Sequence, residues 1–473
     1  MHIDSSSVSP QQSAPQRSLR QESGNSERIL LLTSGLGFGH VRAAQAIEAA
    51  LLQRGATVHL LDLWSLINPG AASIIHQTYL RLVQEHTELY ERLYQLDERT
   101  WRQILQSEDG PPAQVLEVLE LISRIAAESV AELKGVQYVS DRLLLSLLRN
   151  SLPYDANSLG GNGVRARLAL MKWTWMRFSK RLESVVNQFK PDVVVSTQMI
   201  PAAIVSSLRH RRRVHVPQLG VLTDYGLHDF WRQPGIDRYC IAHERLMPRP
   251  SDDPDAGKMA ATGVPLMPAF AHPLSQEEAR RQLRCHHMAP GAKVVLVLGG
   301  GLGLSVDALA NNLLTNTSDI HLLVMPGKNA SVRSALTTDA DRSRRLTVCD
   351  WTDRMDIFIR AADVVVGKPG GVSVAEVLAC GRPLFATRSL GGQEGFNVRF
   401  LESHGVGGLV VDADVPQRLR SLFEQPDLLA RMQQQAWALG CRDGAAKVSE
   451  LALEMARAQM MRSRRPLLRS QER

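Results

Sequence analysis

The sequence predicts an α/β protein made of two Rossmann-like, doubly wound domains that face a cleft. Three observations carry this expectation. A strand, glycine loop, helix, strand unit opens the patterned part of the chain, at RILLLT, SGLGFGH, VRAAQAIEAALLQ and ATVHLLDLW. A second series of apolar runs and glycine loops follows a Pro-rich connection, GVPLMPAFAHP. A chain of 473 residues with 44% apolar content can bury more core than one domain of ordinary size.

Taken in order, residues 1–27 are rich in Ser, Gln and Pro and lack an apolar segment. They read as a disordered leader rather than a secretory signal. The first strand is Arg28–Thr33, and a helix is expected over 41–53, closed by Gly55. Residues 67–150 turn to helical periodicity, in IIHQTYLRLVQEHTELYERLYQL and QVLEVLELISRIAAESVAEL. This insertion is either an ordinary helical element or a surface that docks on something apolar. Alternation resumes with WMRFSKRLESVVNQFKPDVVVSTQ, where Lys190-Pro191-Asp192 ends a helix and VVVST is a buried strand. VPQLGVLTD and DRYCIA are further strands. These assign an N-terminal domain to 28–268 and a second domain to 269–445. Within the second, KVVLVLGGG, HLLVMPG and LTVCDW are strands, and DRMDIFIRAADVVVGKPGGVSVAEVLACGRPLF gives helix, strand, turn, helix and strand. Residues 446–473 form a C-terminal helix and a basic tail. No repeat at solenoid periods is present.

The formal charge is +7 and the isoelectric point about 9.3. Such an excess suits nucleic acid, an acidic membrane or a phosphate-bearing substrate, or serves solubility alone. The five cysteines are scattered without C-x-x-C spacing. That excludes zinc ribbons and disulfide frameworks and fits a reducing compartment. No run is long and apolar enough to span a bilayer, so any contact with a membrane is expected to be peripheral.

Five motifs carry chemistry. In GKPGGVSVAE, Gly370 and Gly371 make a tight turn with available backbone N–H groups, and Ser373 is placed to cap the helix that follows. A helix N-terminus behind such a turn, at Gly370, Gly371, Val372 and Ser373, suits a diphosphate. Glu376 lies one turn further on, where its carboxylate can accept from two ribose hydroxyls or simply favour the helix dipole. In GGQEGFN, Gln393, Glu394 and Asn397 offer donors and acceptors that suit sugar hydroxyls. Gly299, Gly300 and Gly301 open a glycine cluster like a dinucleotide fingerprint, but no acidic residue ends the next strand, which argues against NAD. In TDYGLHDFW, Asp224, Tyr225, His228 and Trp231 suit an acceptor site, although the aromatics also read as core. In SGLGFGH, the glycines either satisfy packing or, at Gly37 and Gly39, let a reacting hydroxyl approach. His40 at the start of a helix is either structural or a neutral general base.

In this order, TSGLGFGHVRAA, KPDVVVSTQMIPA, LGVLTDYGLHDFW, DRYCIA, ATGVPL, GKPGGVSVAEVLACGRPL and GGQEGFN resemble a family, over roughly residues 28–440. The chain is similar to the GT-B glycosyltransferases of family 28, in the branch of monogalactosyldiacylglycerol synthases and bacterial diacylglycerol glucosyltransferases. The resemblance implies a UDP-hexose donor held by the second domain, and a lipid acceptor such as 1,2-diacylglycerol on the first. It implies an inverting hexosyl transfer that gives a β-glycoside, on the inner face of the cell membrane, without metal or cofactor. It places Gly370, Gly371 and Ser373 at the diphosphate, Glu376 at the ribose, Gln393, Glu394 and Asn397 near the donor sugar, and His40 as base, with Asp224 as an alternative base or an orienter. Two departures stand out. Gln198-Met199 occupies the place of a common His-Pro pair, and Leu302 that of an acidic or polar residue. Another acceptor, such as a peptidoglycan lipid intermediate or a natural product, and a UDP-sugar epimerase or binding protein on the same fold are the alternatives. No nucleic-acid module is recognised.

Overall fold

The structure is a computed structural model that describes residues 26–35, 37–66, 162–283, 292–300, 303, 306–327, 329–337, 345–387 and 393–471. The expected leader, apart from its last two residues, and the helical insertion lie outside the described residues.

Two six-stranded parallel sheets form the framework. The first holds β1 (Arg28–Thr33), β2 (Thr57–Asp62), β3 (Val193–Ser196), β4 (Gln218–Val221), β5 (Arg238–Ile241) and β6 (Met259–Ala261), in the order β2-β1-β3-β4-β5-β6. The second holds β7 (Lys293–Leu298), β8 (Ile320–Met325), β9 (Leu346–Val348), β10 (Val364–Gly367), β11 (Leu384–Ala386) and β12 (Gly407–Leu409), in the order β12-β11-β10-β7-β8-β9. Strands such as VVVS and KVVLVL are apolar along their length because helices cover both faces of the sheet. The register is continuous across the first switch, with Ile29 opposite both Val58 and Val193.

Strand order reverses between β1 and β3 in the first sheet and between β7 and β10 in the second. Ligands of open α/β sheets bind at the carboxyl ends of strands at such points. The loops that leave β1, β7 and β10 there are the three glycine motifs of the sequence.

Helix α1 (Phe38–Gln53) begins three residues earlier than periodicity suggests, so Gly39 and His40 belong to its first turn, behind the N-cap Gly37. Helix α2 (Asn162–Phe189) leads into β3, and α3 (Met199–His210) follows it. Helix α12 (Gly444–Gln471) is the last described element and takes in most of the expected basic tail. It returns to the first sheet: Val448, Ala452, Leu453 and Ala456 are buried in one cluster with Ile29, Ala44, Ile47, Leu51 and Val193. The second sheet therefore lies between two crossings of the described chain from the first.

Candidate active site

The site is a seam between the carboxyl ends of the two sheets. Its centre is Asn397 in α9 (Gln393–Ser403), which is fully buried. Its Oδ1 accepts from the Tyr225 N–H at 2.7 Å, and its Nδ2 donates to Asp224 Oδ1 and to the Pro369 carbonyl, both at 2.9 Å. A backbone N–H only donates and a carbonyl only accepts, so the two backbone partners fix the amide's orientation. Around it the sheets touch closely. A Cβ at Gly371 would lie 2.0 Å from the Thr223 carbonyl, and one at Gly39 would lie 3.3 Å from Val372. At the rim Arg42 Nη1 meets Asp353 at 2.8 Å, and Phe38 packs on Trp351 with ring centroids 5.5 Å apart.

On the first sheet's side, His40 Nδ1 is 3.2 Å from Thr223 Oγ1, while Thr197 Oγ1 donates to the His40 carbonyl at 3.1 Å. Burial holds the His40 imidazole below its usual range; the Asp224 carboxylate and a hydrogen bond with the Thr197 backbone oppose this only in part. The ring is thus neutral at neutral pH, as a proton acceptor must be. Burial comes first among these causes.

On the second sheet's side, helix α8 (Gly371–Ala379) starts at Gly370 as N-cap, with no side chain capping it. Ser373 therefore does not cap, contrary to expectation, because it falls inside the first turn. That leaves the first-turn N–H groups to whatever lies before the helix, which is the anion-binding geometry. Glu376 is 9% exposed, and burial pushes its carboxyl up to about 7, with Arg42 pulling down and Asp356 pushing up. Lys368 Nζ pairs with Glu394 Oε1 at 2.7 Å. Gly299 and Gly300 leave β7 beside them; Gly301 lies outside the described residues.

The candidates predicted from sequence divide in two groups. His40, Asp224, Gly370, Gly371, Val372, Ser373, Glu376, Gln393, Glu394 and Asn397 converge on the seam. Asn397 spends its amide on bridging the sheets, and Gln393 Nε2 lies 3.8 Å from Met199 Sδ across the seam. The acceptor-side aromatics behave as core. Tyr225 is buried with its ring 4.4 Å from Phe400, and Trp231 is buried beneath Gly220. His228 accepts from the Phe230 N–H and caps a short 3-10 turn. The room at Gly37 and Gly39 is taken by the protein itself, by the His40 ring and Val372 respectively. Thr223, Arg42 and Lys368 were not singled out from sequence. Thr223 had a signal, since it directly precedes Asp224 at a strand end; the other two had none in their local pattern.

Two facing parallel sheets joined at a closed seam are the GT-B architecture. Residues 165–266 match the monogalactosyldiacylglycerol (MGDG) synthase family model, and residues 294–448 match the glycosyltransferase family 28 C-terminal domain. Together these cover more than half of the chain, which belongs to the family 28 glycosyltransferases. The processive diacylglycerol beta-glucosyltransferase of Bacillus subtilis is 27% identical over 261 residues, 54% of this chain and 66% of that protein, just under two thirds of its length. The enzyme of the same description from Bacillus cytotoxicus is 23% identical over 438 residues, 91% of this chain and 95% of that one. In fold, the crystal structure of MurG from Acinetobacter baumannii superposes with a TM-score of 0.53 at 14% identity, covering 90% of this chain and 99% of that one.

Two outcomes test this geometry. Alanine is the better helix former, yet Gly371→Ala puts a methyl against the Thr223 carbonyl and parts the sheets. Glycosyl transfer should fall about 100-fold while the far-UV circular dichroism spectrum is retained; an unchanged rate contradicts the closed seam. The second outcome concerns Glu376. If, as the sequence resemblance implies, two ribose hydroxyls donate to the ionised Glu376 carboxylate, binding displaces the proton that burial retains up to pH about 7. UDP affinity should rise with pH below 7 and level off above it. Calorimetry at pH 6 in buffers of different ionisation enthalpy should show proton release, and Glu376→Gln should abolish it.

Proposed function

We propose that this chain is an inverting glycosyltransferase that moves a hexose from a UDP-sugar to the hydroxyl of 1,2-diacylglycerol, giving a β-glycosyldiacylglycerol. The observation that carries the reading is the juxtaposition of a half-buried, neutral His40 with the uncapped start of α8, joined through Thr223, Asp224 and Gly371. One sheet brings a proton acceptor and the other a diphosphate cradle. The names of the relatives support the lipid acceptor.

In this mechanism His40 accepts the proton of the acceptor hydroxyl as its oxygen attacks the anomeric carbon. The bond from that carbon to the diphosphate oxygen breaks on the opposite face, and the electron pair leaves with UDP. Configuration inverts. The N–H groups of Gly371 and its neighbours meet the charge that develops on the leaving oxygen. Asp224, held by Asn397, stabilises the imidazolium as it forms. It acts on His40 by charge, while its Oδ1 accepts from Asn397.

The enzyme works as a peripheral protein on the cytoplasmic face of the cell membrane, without nucleic acid as a partner. Among the described residues no helix is long and apolar enough to cross a membrane. The basic run at 209–213 contributes less than its sequence suggests: Arg209 pairs with Asp237 at 2.5 Å and Arg213 with Glu183 at 2.9 Å. Arg211 and Arg212 are exposed at the end of α3, and each supplies about 1 kcal/mol towards an anionic surface.

The test is turnover with dioleoylglycerol in anionic mixed vesicles, offered UDP-galactose, UDP-glucose or UDP-N-acetylglucosamine in parallel. A glycolipid should form from one of them, and His40→Ala should lower the rate by roughly two to four powers of ten with UDP affinity retained. UDP binding without any glycolipid sinks the diacylglycerol acceptor, and epimerised sugar without acceptor sinks transfer itself.

A further inference from the structure

We propose that Lys368 is a catalytic residue: its ammonium group pairs with the diphosphate of the donor and carries the charge of the leaving group. This rests on the glycosyl-transfer reading above and adds a side chain to it.

The argument begins with what the glycine turn lacks. A sugar nucleotide brings two negative charges on its diphosphate, and the departing nucleoside diphosphate gains more as the bond to carbon breaks. Backbone N–H groups and a helix terminus supply only partial charges, equivalent to about half an elementary charge. A full positive charge placed beside them, away from bulk water, is worth more to the transition state than either alone.

Lys368 enters that turn with a half-buried side chain. It follows Gly367, the last residue of β10, and precedes the Pro369-Gly370-Gly371 turn that starts α8. Its own N–H donates to the Leu298 carbonyl at 3.2 Å, which ties it to the end of β7. Its Cδ lies 3.8 Å from the point a Cβ on Gly300 would occupy, so its stem runs along the loop that leaves β7. Its Nζ reaches Glu394 Oε1, 2.7 Å away, in the first turn of α9. Lys368 thus links the three segments that the second sheet sends to the seam, through its backbone to the end of β7 and through its side chain to α9.

The pairing also explains why the ammonium remains near the site before donor arrives. Its side chain is 26% exposed and that of Glu394 only 11%. A long lysine stem anchored at a backbone turn can swing by rotation of its outer torsions while the carboxylate stays. When the donor enters, Lys368 exchanges one oxygen anion for another, and Glu394 is released to accept from a sugar hydroxyl. In the transfer step the anomeric carbon–oxygen bond breaks, the electron pair goes to the diphosphate oxygen, the acceptor oxygen takes its place and its proton passes to His40. Lys368 keeps its protons throughout; it acts by charge.

The experiment compares UDP with uridine as ligands, by calorimetry, in the wild type, Lys368→Ala, Lys368→Gln and Lys368→Arg, alongside turnover on diacylglycerol vesicles. The expected result is a loss of UDP affinity of roughly 10- to 100-fold in the Ala and Gln variants, with uridine affinity unchanged. Their kcat should fall roughly 100- to 1000-fold, and Lys368→Arg should recover most of both. Equal loss of UDP and uridine binding assigns Lys368 a structural role and overturns the proposal, as does UDP binding and kcat unchanged from wild type. A wild type that does not prefer UDP to uridine refutes the donor reading itself, which separates that failure from the failure of Lys368.

Discussion

One buried amide holds the site together. Asn397 belongs to the second sheet's side, and two of its three partners, Asp224 and Tyr225, belong to the first. The third is the carbonyl of Pro369, just before the glycine turn. All of its hydrogen-bonding groups face protein, so the sheets cannot separate without stranding a buried carbonyl, an N–H and a carboxylate. Each such group costs about 1–3 kcal/mol if left unpaired. The same three bonds set the distance between the base side and the phosphate side, because Asp224 and Pro369 are neighbours of Thr223 and Gly370. The chemistry on each side inherits its alignment from a residue that performs none of it.

The close approach has consequences along the seam. Desolvation holds the His40 imidazole below its usual range and pushes the Glu376 carboxyl up to about 7. Arg42, two residues after His40 in α1, reaches over the boundary to Asp353 and acts on the Glu376 carboxylate. Packing, electrostatics and proton affinity are thus one constraint here. The return of α12 to the first sheet reinforces it, since the second sheet is tethered at both of its chain ends.

Much of this was readable from the sequence, for identifiable reasons. Parallel strands covered on both faces leave continuous apolar runs, so the strands of both sheets appear in VVVS, KVVLVL and their counterparts. Glycine loops at strand ends fall where the strand order reverses, so the position of the cleft was readable too. Residue roles were harder to read where they depend on partners far along the chain. Asn397 reads as a sugar contact because its amide suits hydroxyls; its partners Asp224 and Tyr225 lie more than 170 residues away. Tyr225 and Trp231 follow a strand in a pattern that fits a binding loop and a core equally, and burial decides for core. Lys368 is hidden by the turn signal around it, since Lys-Pro-Gly-Gly reads first as backbone geometry. Arg209 and Arg213 look like a solvated basic run until Asp237 and Glu183 are brought alongside by folding.

The account stands on a single in-line displacement between two sheets, with one proton acceptor and no covalent sugar on the enzyme. The anomeric configuration of the product tests this most directly. Proton NMR of the glycolipid made from an α-linked UDP-sugar should show the β-anomer alone. An α-linked product would require retention, and would contradict a single in-line displacement with His40 as the base.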